Sequence, residues 1–428
     1  VTTAPLSPAA ARRVFYALSF TRWFPVGLIV GMMTLLPLDR GLSVAQALAA
    51  FAFTGWVVFA LELPTSGFAD AFGRKPVYVA AAVVQVAAGL VYLFAQSFWV
   101  FVLGSVLTGV FRALDSGPLE AWFVDAVHAT DPGADVDQPL ARQGTILGLG
   151  MAAGSLVSAG LIAWHPFAQS SALNLPFAVF VALTVVHLVA TVVLVKEPRT
   201  HVDSTGLRRA VASAKEAPGV VRDGLGMLRS NRILRGLVLV EVFWSIAMIV
   251  FETFQPIRLA ELLGSEERAG AWMGVVAAGG WAIFAAGSGL AGLVSKRLGV
   301  TRTAILGRVL NSLGAVWMGL VLGPVALVVA YLFTYSMHGF AGPMHGALLH
   351  REASARNRAT VLSMNSMMMF AAYSGVAPLL GLLAERTSNQ VAMVLAGALS
   401  LLGAFLYLPA LRHERQLRTE PAGDAAPV

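Results

Sequence analysis

Glu62-Leu63-Pro64-Thr65-Ser66-Gly67-Phe68-Ala69-Asp70-Ala71-Phe72-Gly73-Arg74-Lys75 is a turn joining two long apolar runs, 44–65 and 76–96. Gly67 and Gly73 permit a tight turn with close backbone approach, and Asp70, Arg74 and Lys75 can form charge-assisted bonds at helix ends. A bilayer core of about 30 Å takes about 20 apolar residues of helix. The flanking runs meet that length, so the stretch reads as a short basic loop between two membrane helices.

Composition carries this reading outward. Of 428 residues, 57% are hydrophobic and 12% charged, whereas soluble domains carry roughly 25% charged residues. The 42 glycines add small residues suited to close helix packing. With no cysteine, disulfides, thiolate metal sites and cysteine nucleophiles are excluded. The net charge of +7 fits loops that hold a membrane protein in place, and no aromatic-basic pattern of a nucleic-acid binder is present. No His-Glu-x-x-His, supported Gly-x-Ser-x-Gly or phosphate-cradling loop occurs, so the sequence points away from an enzyme and calls for no cofactor or metal.

Helical-length apolar windows recur at 13–36, 44–65, 76–96, 98–121, 143–164, 172–195, 233–256, 268–294, 302–323, 324–348, 359–383 and 390–411. The first, interrupted by Arg22 and lacking a small-residue cleavage site, reads as a retained helix rather than a signal peptide. With the N-terminus in the cytoplasm, most of the 30 basic residues fall on the inner side. The outer loops hold only Arg40, Arg258, Arg268 and Arg386, while Arg22, Arg112 and Arg308 lie within spans. The positive-inside rule then places both termini in the cytoplasm.

The longest polar interval, 197–232, contains Pro198, Pro218 and an apolar-basic helical pattern. It divides the chain into an N-terminal bundle of six spans, 1–196, and a C-terminal bundle of six, 233–412, followed by a tail, 413–428. Each half has a short basic loop after its second span, the second being Ser295-Lys296-Arg297-Leu298-Gly299, so an internal repeat of about 225 residues is expected. The fold class is all-α: twelve transmembrane helices in two pseudo-symmetric six-helix bundles.

On these residues the chain resembles the major facilitator superfamily of two-bundle transporters. Asp70, Gly73, Arg74 and Lys75 match the superfamily's loop signature; Ser66 stands where it opens with glycine, and Ala71 where an arginine follows the aspartate. Gly292, Arg297 and Gly299 fit the degenerate second copy, with Lys296 at its aspartate position. Gly109 to Gly117, around Arg112, is similar to the fourth-helix signature, and Gly148, Gly150, Gly154 and Gly160 partly resemble that of proton-coupled drug antiporters, without its proline. The resemblance implies a conformational latch at Asp70, Gly73, Arg74 and Lys75, and a central cavity lined by the first, fourth, seventh and tenth spans.

An ionisable side chain at mid-membrane costs about 2.5–3.5 kcal/mol even on the insertion scale, so each is expected to face a cavity or a partner. Arg22, Arg112, Glu241 and His338 fall at similar depths on the four cavity spans. The seventh span carries Glu241, Trp244, Ser245, Met248, Glu252 and Gln255 at a spacing that turns both carboxylates one way. The tenth carries Tyr331, Tyr335, His338, Gly342 and His345. Glu241, Glu252, Asp115 and His338 are the candidate proton carriers; Arg22, Arg112, Trp244, Met248, Tyr331, Tyr335 and Asn365 are the candidate substrate contacts. The alternative for Glu241 is a fixed salt bridge to Arg22 or Arg112, and Asp115 is placed to pair with Arg112 within its helix.

The reading that follows is a monomeric secondary transporter of the bacterial cytoplasmic membrane. It expels hydrophobic drugs or secondary metabolites against protons by alternating access, its partners being small molecules, protons and lipid. The alternatives are a proton symporter importing a small anionic metabolite through Arg22 and Arg112, and a non-transporting receptor or scaffold.

Overall fold

The protein is described from a computed structural model covering residues 6–65, 68–167, 169–197, 204–354 and 357–419. Its long helices are α1 (Pro8–Val30), α2 (Val44–Thr65), α3 (Arg74–Phe94), α4 (Phe98–His128), α5 (Asp137–Trp164) and α6 (Asn174–Leu194). After a linker helix, Ser204–Ser230, come α7 (Arg232–Leu263), α8 (Glu266–Leu298), α9 (Val300–Leu320), α10 (Pro324–Glu352), α11 (Arg358–Arg386) and α12 (Asn389–Gln416). They form two six-helix bundles, and no strand occurs among the described residues. Eleven of these helices carry an apolar window long enough to cross a membrane. α1 lacks one because Arg12, Arg13 and Arg22 lie within it, although its 23 residues extend about 34 Å at 1.5 Å per residue.

Local chemistry sets the boundaries. α1 stops at Gly31, earlier than the apolar run suggests, and a short helix, Leu35–Asp39, follows. α4 breaks at Gly117, whose φ of 92° favours glycine, and restarts at Pro118. Asn231 Oδ1 accepts from the Ile233 and Leu234 amides at 2.9 and 3.0 Å to open α7, and Ser265 and Ser388 cap α8 and α12. Within α7, Ile249–Phe254 widens into a π turn. That extra residue per turn shifts the faces of everything beyond it.

The repeat is visible in how the third helix of each bundle begins. Gly73 (φ 96°, ψ 154°) precedes α3 and Gly299 (φ 85°, ψ 160°) precedes α9, the same conformation one repeat apart. In the first bundle Glu197, just past α6, accepts from the Arg74 and Lys75 amides, both at 2.8 Å. In the second, Glu414 near the end of α12 accepts from the Thr301 amide at 3.3 Å. A carboxylate from the sixth helix thus neutralises the positive N-terminus of the third in both bundles.

The bundles meet along two helix pairs, α2 with α11 and α5 with α8. Toward the face opposite the linker, Gly274 of α8 lies so close to α5 that an added Cβ would fall 2.9 Å from the Ala159 nitrogen. Toward the linker face the same pair separates: Gly144 and Gly148 of α5, and Gly289 and Gly292 of α8, have open space where a Cβ would be. On the opposite face two carboxylates of the second bundle reach backbone amides of the first. Glu385 accepts from Ala45 at 3.0 Å and Glu267 from Ala172 at 2.8 Å. Burial, with Glu267 and Glu266 adding repulsion, raises the nearby Asp39 carboxyl above its ordinary value despite a Ser171 hydrogen bond. The bundles are therefore in close contact on that face, while α5 and α8 stand apart toward the linker face.

Replacing Glu197 by Ala removes the cap of α3 and should cost about 0.5–2 kcal/mol, typical of a lost helix cap. The expected result is a lower unfolding temperature of the detergent-solubilised protein, with Glu197→Gln losing less because it keeps an acceptor.

Candidate functional site

In the first bundle, α1 and α4 bring Arg22 to Asp115. Both Nε and Nη2 donate to Asp115 Oδ2, at 3.0 and 2.7 Å. The guanidinium also lies 4.4 Å from the ring centroids of Trp23 and Phe111, an arrangement that favours a partly desolvated cation. Asp115 is therefore paired with Arg22 of another helix, not with Arg112 of its own as the spacing suggests. Arg112 instead points across the cleft, exposed, with its guanidinium 5.2 Å from the Phe370 ring of α11. Glu62 on α2 makes the same crossing and accepts from the Ser366 hydroxyl at 3.1 Å.

In the second bundle, Glu241 of α7 sits 3% exposed in a closed network. Its Oε1 is 3.5 Å from Arg308 Nη2 and 3.0 Å from His345 Nε2. His345 Nε2 also faces Asn365 Oδ1 at 3.2 Å, and its Nδ1 lies 2.7 Å from the Tyr407 hydroxyl. Two acceptors at Nε2 place a proton there, and the Tyr407 hydroxyl facing Nδ1 accepts in turn from Arg308 Nε at 3.4 Å. Glu241 and Arg308 form the ion pair at the centre of this network. The cation that reaches Glu241 is Arg308 of α9, not Arg22 or Arg112, which belong to the other bundle. Asn365 is likewise engaged in this network.

Within the π turn, Glu252 is exposed although its neighbours Phe251, Thr253 and Phe254 are buried. The two carboxylates of α7 consequently do not share a face. Glu252 lies beside the Tyr335 hydroxyl, while Thr253 and the Tyr373 hydroxyl of α11 bond each other directly. Among the described residues no basic side chain pairs with Glu252.

The surrounding wall is aromatic. The His338 ring stands 5.2 Å from each of Trp244, Phe251 and Phe284, and 5.6 Å from Tyr335. Tyr331 lies 5.2 Å from Tyr335, and half-buried Met248 packs against the same core. His338 Nδ1 and Trp244 Nε1 have no hydrogen-bond partner. Tyr331, Tyr335, His338, Trp244, Met248 and Glu252 thus gather on α7 and α10, whereas Arg22, Arg112 and Asp115 lie across the cleft.

At the loop signature, Arg74 and Lys75 reach partners in the first bundle. Arg74 Nε is 3.3 Å from Asp125 Oδ2, and Lys75 Nζ donates to the Val192 carbonyl at 2.7 Å. The Asp70 side chain, with Ser66 and Gly67, lies outside the described residues. Four contributors escaped the sequence reading. Arg308 was visible as an arginine inside a span, and Glu197 as an acid ending one. His187, buried in α6, lies 2.9 Å from the Thr21 hydroxyl and 3.2 Å from that of Tyr78. Tyr407 carries no sequence signal that separates it from other aromatic residues. Among the described residues no cluster of three His, Asp or Glu side chains is suited to a metal.

The model of the Major Facilitator Superfamily matches residues 15–337 and 253–427. No curated protein matches the chain. Among solved structures, the nucleoside transporter NupG superposes with a TM-score of 0.73 at 13% identity, covering 94% of this chain and 99% of that one. A peptide transporter POT in complex with sulfate gives 0.72 at 14%, covering 95% of each. A POT family transporter in complex with 5-aminolevulinic acid gives 0.68 at 14%, covering 95% and 96%. The chain belongs to the Major Facilitator Superfamily, and is a secondary transporter of that type.

Removing one partner of a buried ion pair typically costs about 3–5 kcal/mol because the other charge is left alone. Arg308→Leu should therefore lower the thermal stability sharply, while Glu241→Gln with Arg308→Gln should lose much less than the two single changes together. Additive losses in such a double-mutant cycle would show that the two side chains do not act as a pair.

Proposed function

We propose that this superfamily member is a proton-coupled exporter of apolar or cationic organic compounds, with Glu252 carrying both the proton and the substrate's positive end. One observation supports it above others: Glu252 is an exposed carboxylate on an aromatic wall, and no described cation neutralises it. Its proton and a substrate cation would compete for one site, which is the requirement for exchange. Glu241, held by Arg308 and His345, is then a fixed anchor, and Asp115 serves Arg22 in the same way. His338, Tyr331, Tyr335, Trp244 and Met248 supply the apolar contact surface.

In this reading the linker face is cytoplasmic, since the basic residues collect there. The open cleft takes substrate from that side. Residues 1–196 and 233–412 rock as units about the α2–α11 and α5–α8 contacts, and the loop signature at Asp70, Gly73, Arg74 and Lys75 stiffens the first unit. The membrane is a bacterial cytoplasmic one, and the protein works as a monomer.

A second reading rests on Arg112, exposed in the cleft and facing α11. A guanidinium so placed suits an anionic solute, and similar folds include transporters named for peptides and nucleosides. Import of an anion with protons would use Arg112 and Glu62 instead of Glu252.

Proteoliposomes with an interior pH dye separate the two. On the first reading, an added lipophilic cation drives protons the opposite way, and Glu252→Gln abolishes that movement while the protein still elutes as a folded particle. Unchanged proton flux in the variant would sink the assignment of Glu252. Protons moving in the same direction as an added organic anion, with loss on Arg112→Gln, would establish the second.

A further inference from the structure

The linker helix Ser204–Ser230 lies at the end of the bundles, against α2, the short helix Phe68–Phe72, α7 and α11. Its buried side is small: Ala217 is 8% exposed, Gly224 abuts Met364 of α11, and the Met227 sulfur accepts from Asn357 at 3.3 Å. The transport reading makes no use of the opposite side.

That side has a definite order. Arg208, Lys215, Arg222 and Arg229 are all exposed and recur every seventh residue, so they form one stripe along the helix. At roughly 100° per residue, seven residues advance the stripe by only about 20° short of two turns. None of the four side chains has an ion pair with another described residue. On one flank of the stripe stand exposed Val211, Pro218 and Leu225, with Val211 and Leu225 each 44% exposed. On the other flank stand exposed Glu216 and Asp223.

Apolar, then basic, then acidic is the order of depth across a bilayer surface: acyl boundary, phosphate layer, water. We propose that this face of the linker helix lies on the membrane surface and binds anionic lipid headgroups through Arg208, Lys215, Arg222 and Arg229. Val211, Pro218 and Leu225 enter the acyl boundary beside them, and Glu216 and Asp223 face water. An acidic soluble protein could neutralise the stripe, but it gives no role to the exposed apolar flank in a chain whose neighbouring helices already sit in lipid. The helix bridges the bundles at the open end of the cleft, so headgroup binding there would tie the lipid to the mouth of the transport path.

The absence of cysteine makes the test direct. Single variants V211C, L225C, E216C and D223C, each spin-labelled, are placed in nanodiscs of phosphatidylcholine alone and of phosphatidylcholine with one-third phosphatidylglycerol. The expected result is that labels at 211 and 225 relax with oxygen and those at 216 and 223 with a water-soluble nickel complex, the contrast being larger in the anionic bilayer. In R208Q/K215Q/R222Q/R229Q the two bilayers should give the same contrast. Four labels equally open to nickel in both bilayers would overturn the proposal and leave a water-facing stripe. A contrast already identical in both bilayers without the neutralising changes would overturn the assignment to anionic headgroups. Neither reading depends on the neutral variant folding, nor on the direction of transport.

Discussion

A charge that cannot reach water must meet its opposite inside the protein, and the organisation of both bundles follows from that constraint. In the first, Arg22 reaches from α1 to Asp115 on α4 and is covered by two aromatic faces. In the second, Glu241, Arg308, His345, Asn365 and Tyr407 tie α7, α9, α10, α11 and α12 together around one ion pair. Each knot joins helices within its own bundle. The buried charges therefore make each bundle one unit and leave the boundary between bundles to weaker contacts.

Removing charges from use in this way isolates those that remain. Among the described residues, Arg112, Glu62 and Glu252 each face the cleft or the other bundle without a buried ion-pair partner within their own. Their positions divide the cleft by chemistry. The basic group and Glu62 lie near the linker end on α4 and α2, while Glu252 stands deeper, in the π turn of α7, among Tyr335 and the His338 aromatic cluster. A solute entering from the linker face would pass the first pair before reaching the aromatic wall.

Much of the architecture was legible because the bilayer imposes a length and a polarity on every span. The window 44–65 coincides with α2, and 172–195 nearly with α6. Ends set by a single glycine were harder: α1 stops at Gly31, and α4 runs on to His128 because Pro118 restarts it. The candidate site was legible as a list of charged and aromatic residues within spans, and not as a set of partners. Helical spacing puts Asp115 near Arg112, but the pairing is decided by the approach of α1, which no local pattern encodes. Likewise the 3.6-residue period aligns Glu241 with Glu252, and one π turn separates them into a buried anchor and an exposed carboxylate. Arg308 was in view as an in-span arginine, yet its partner lay on a helix far away in sequence.

The opposite face is closed by interactions of another kind. Glu385 and Glu267 of the second bundle end on the backbone amides of Ala45 and Ala172, at helix starts in the first. A carboxylate at a helix N-terminus gains from the dipole as well as the hydrogen bond, but the gain falls away within a turn, and water can replace it once the bundles part. The ion pairs inside each bundle stay intact during such a motion because both partners move together. In the proposed rocking motion one class of contact is therefore unaffected and the other is made and broken. Closure of this face rests on two short carboxylate contacts and on the tight fit at Gly274.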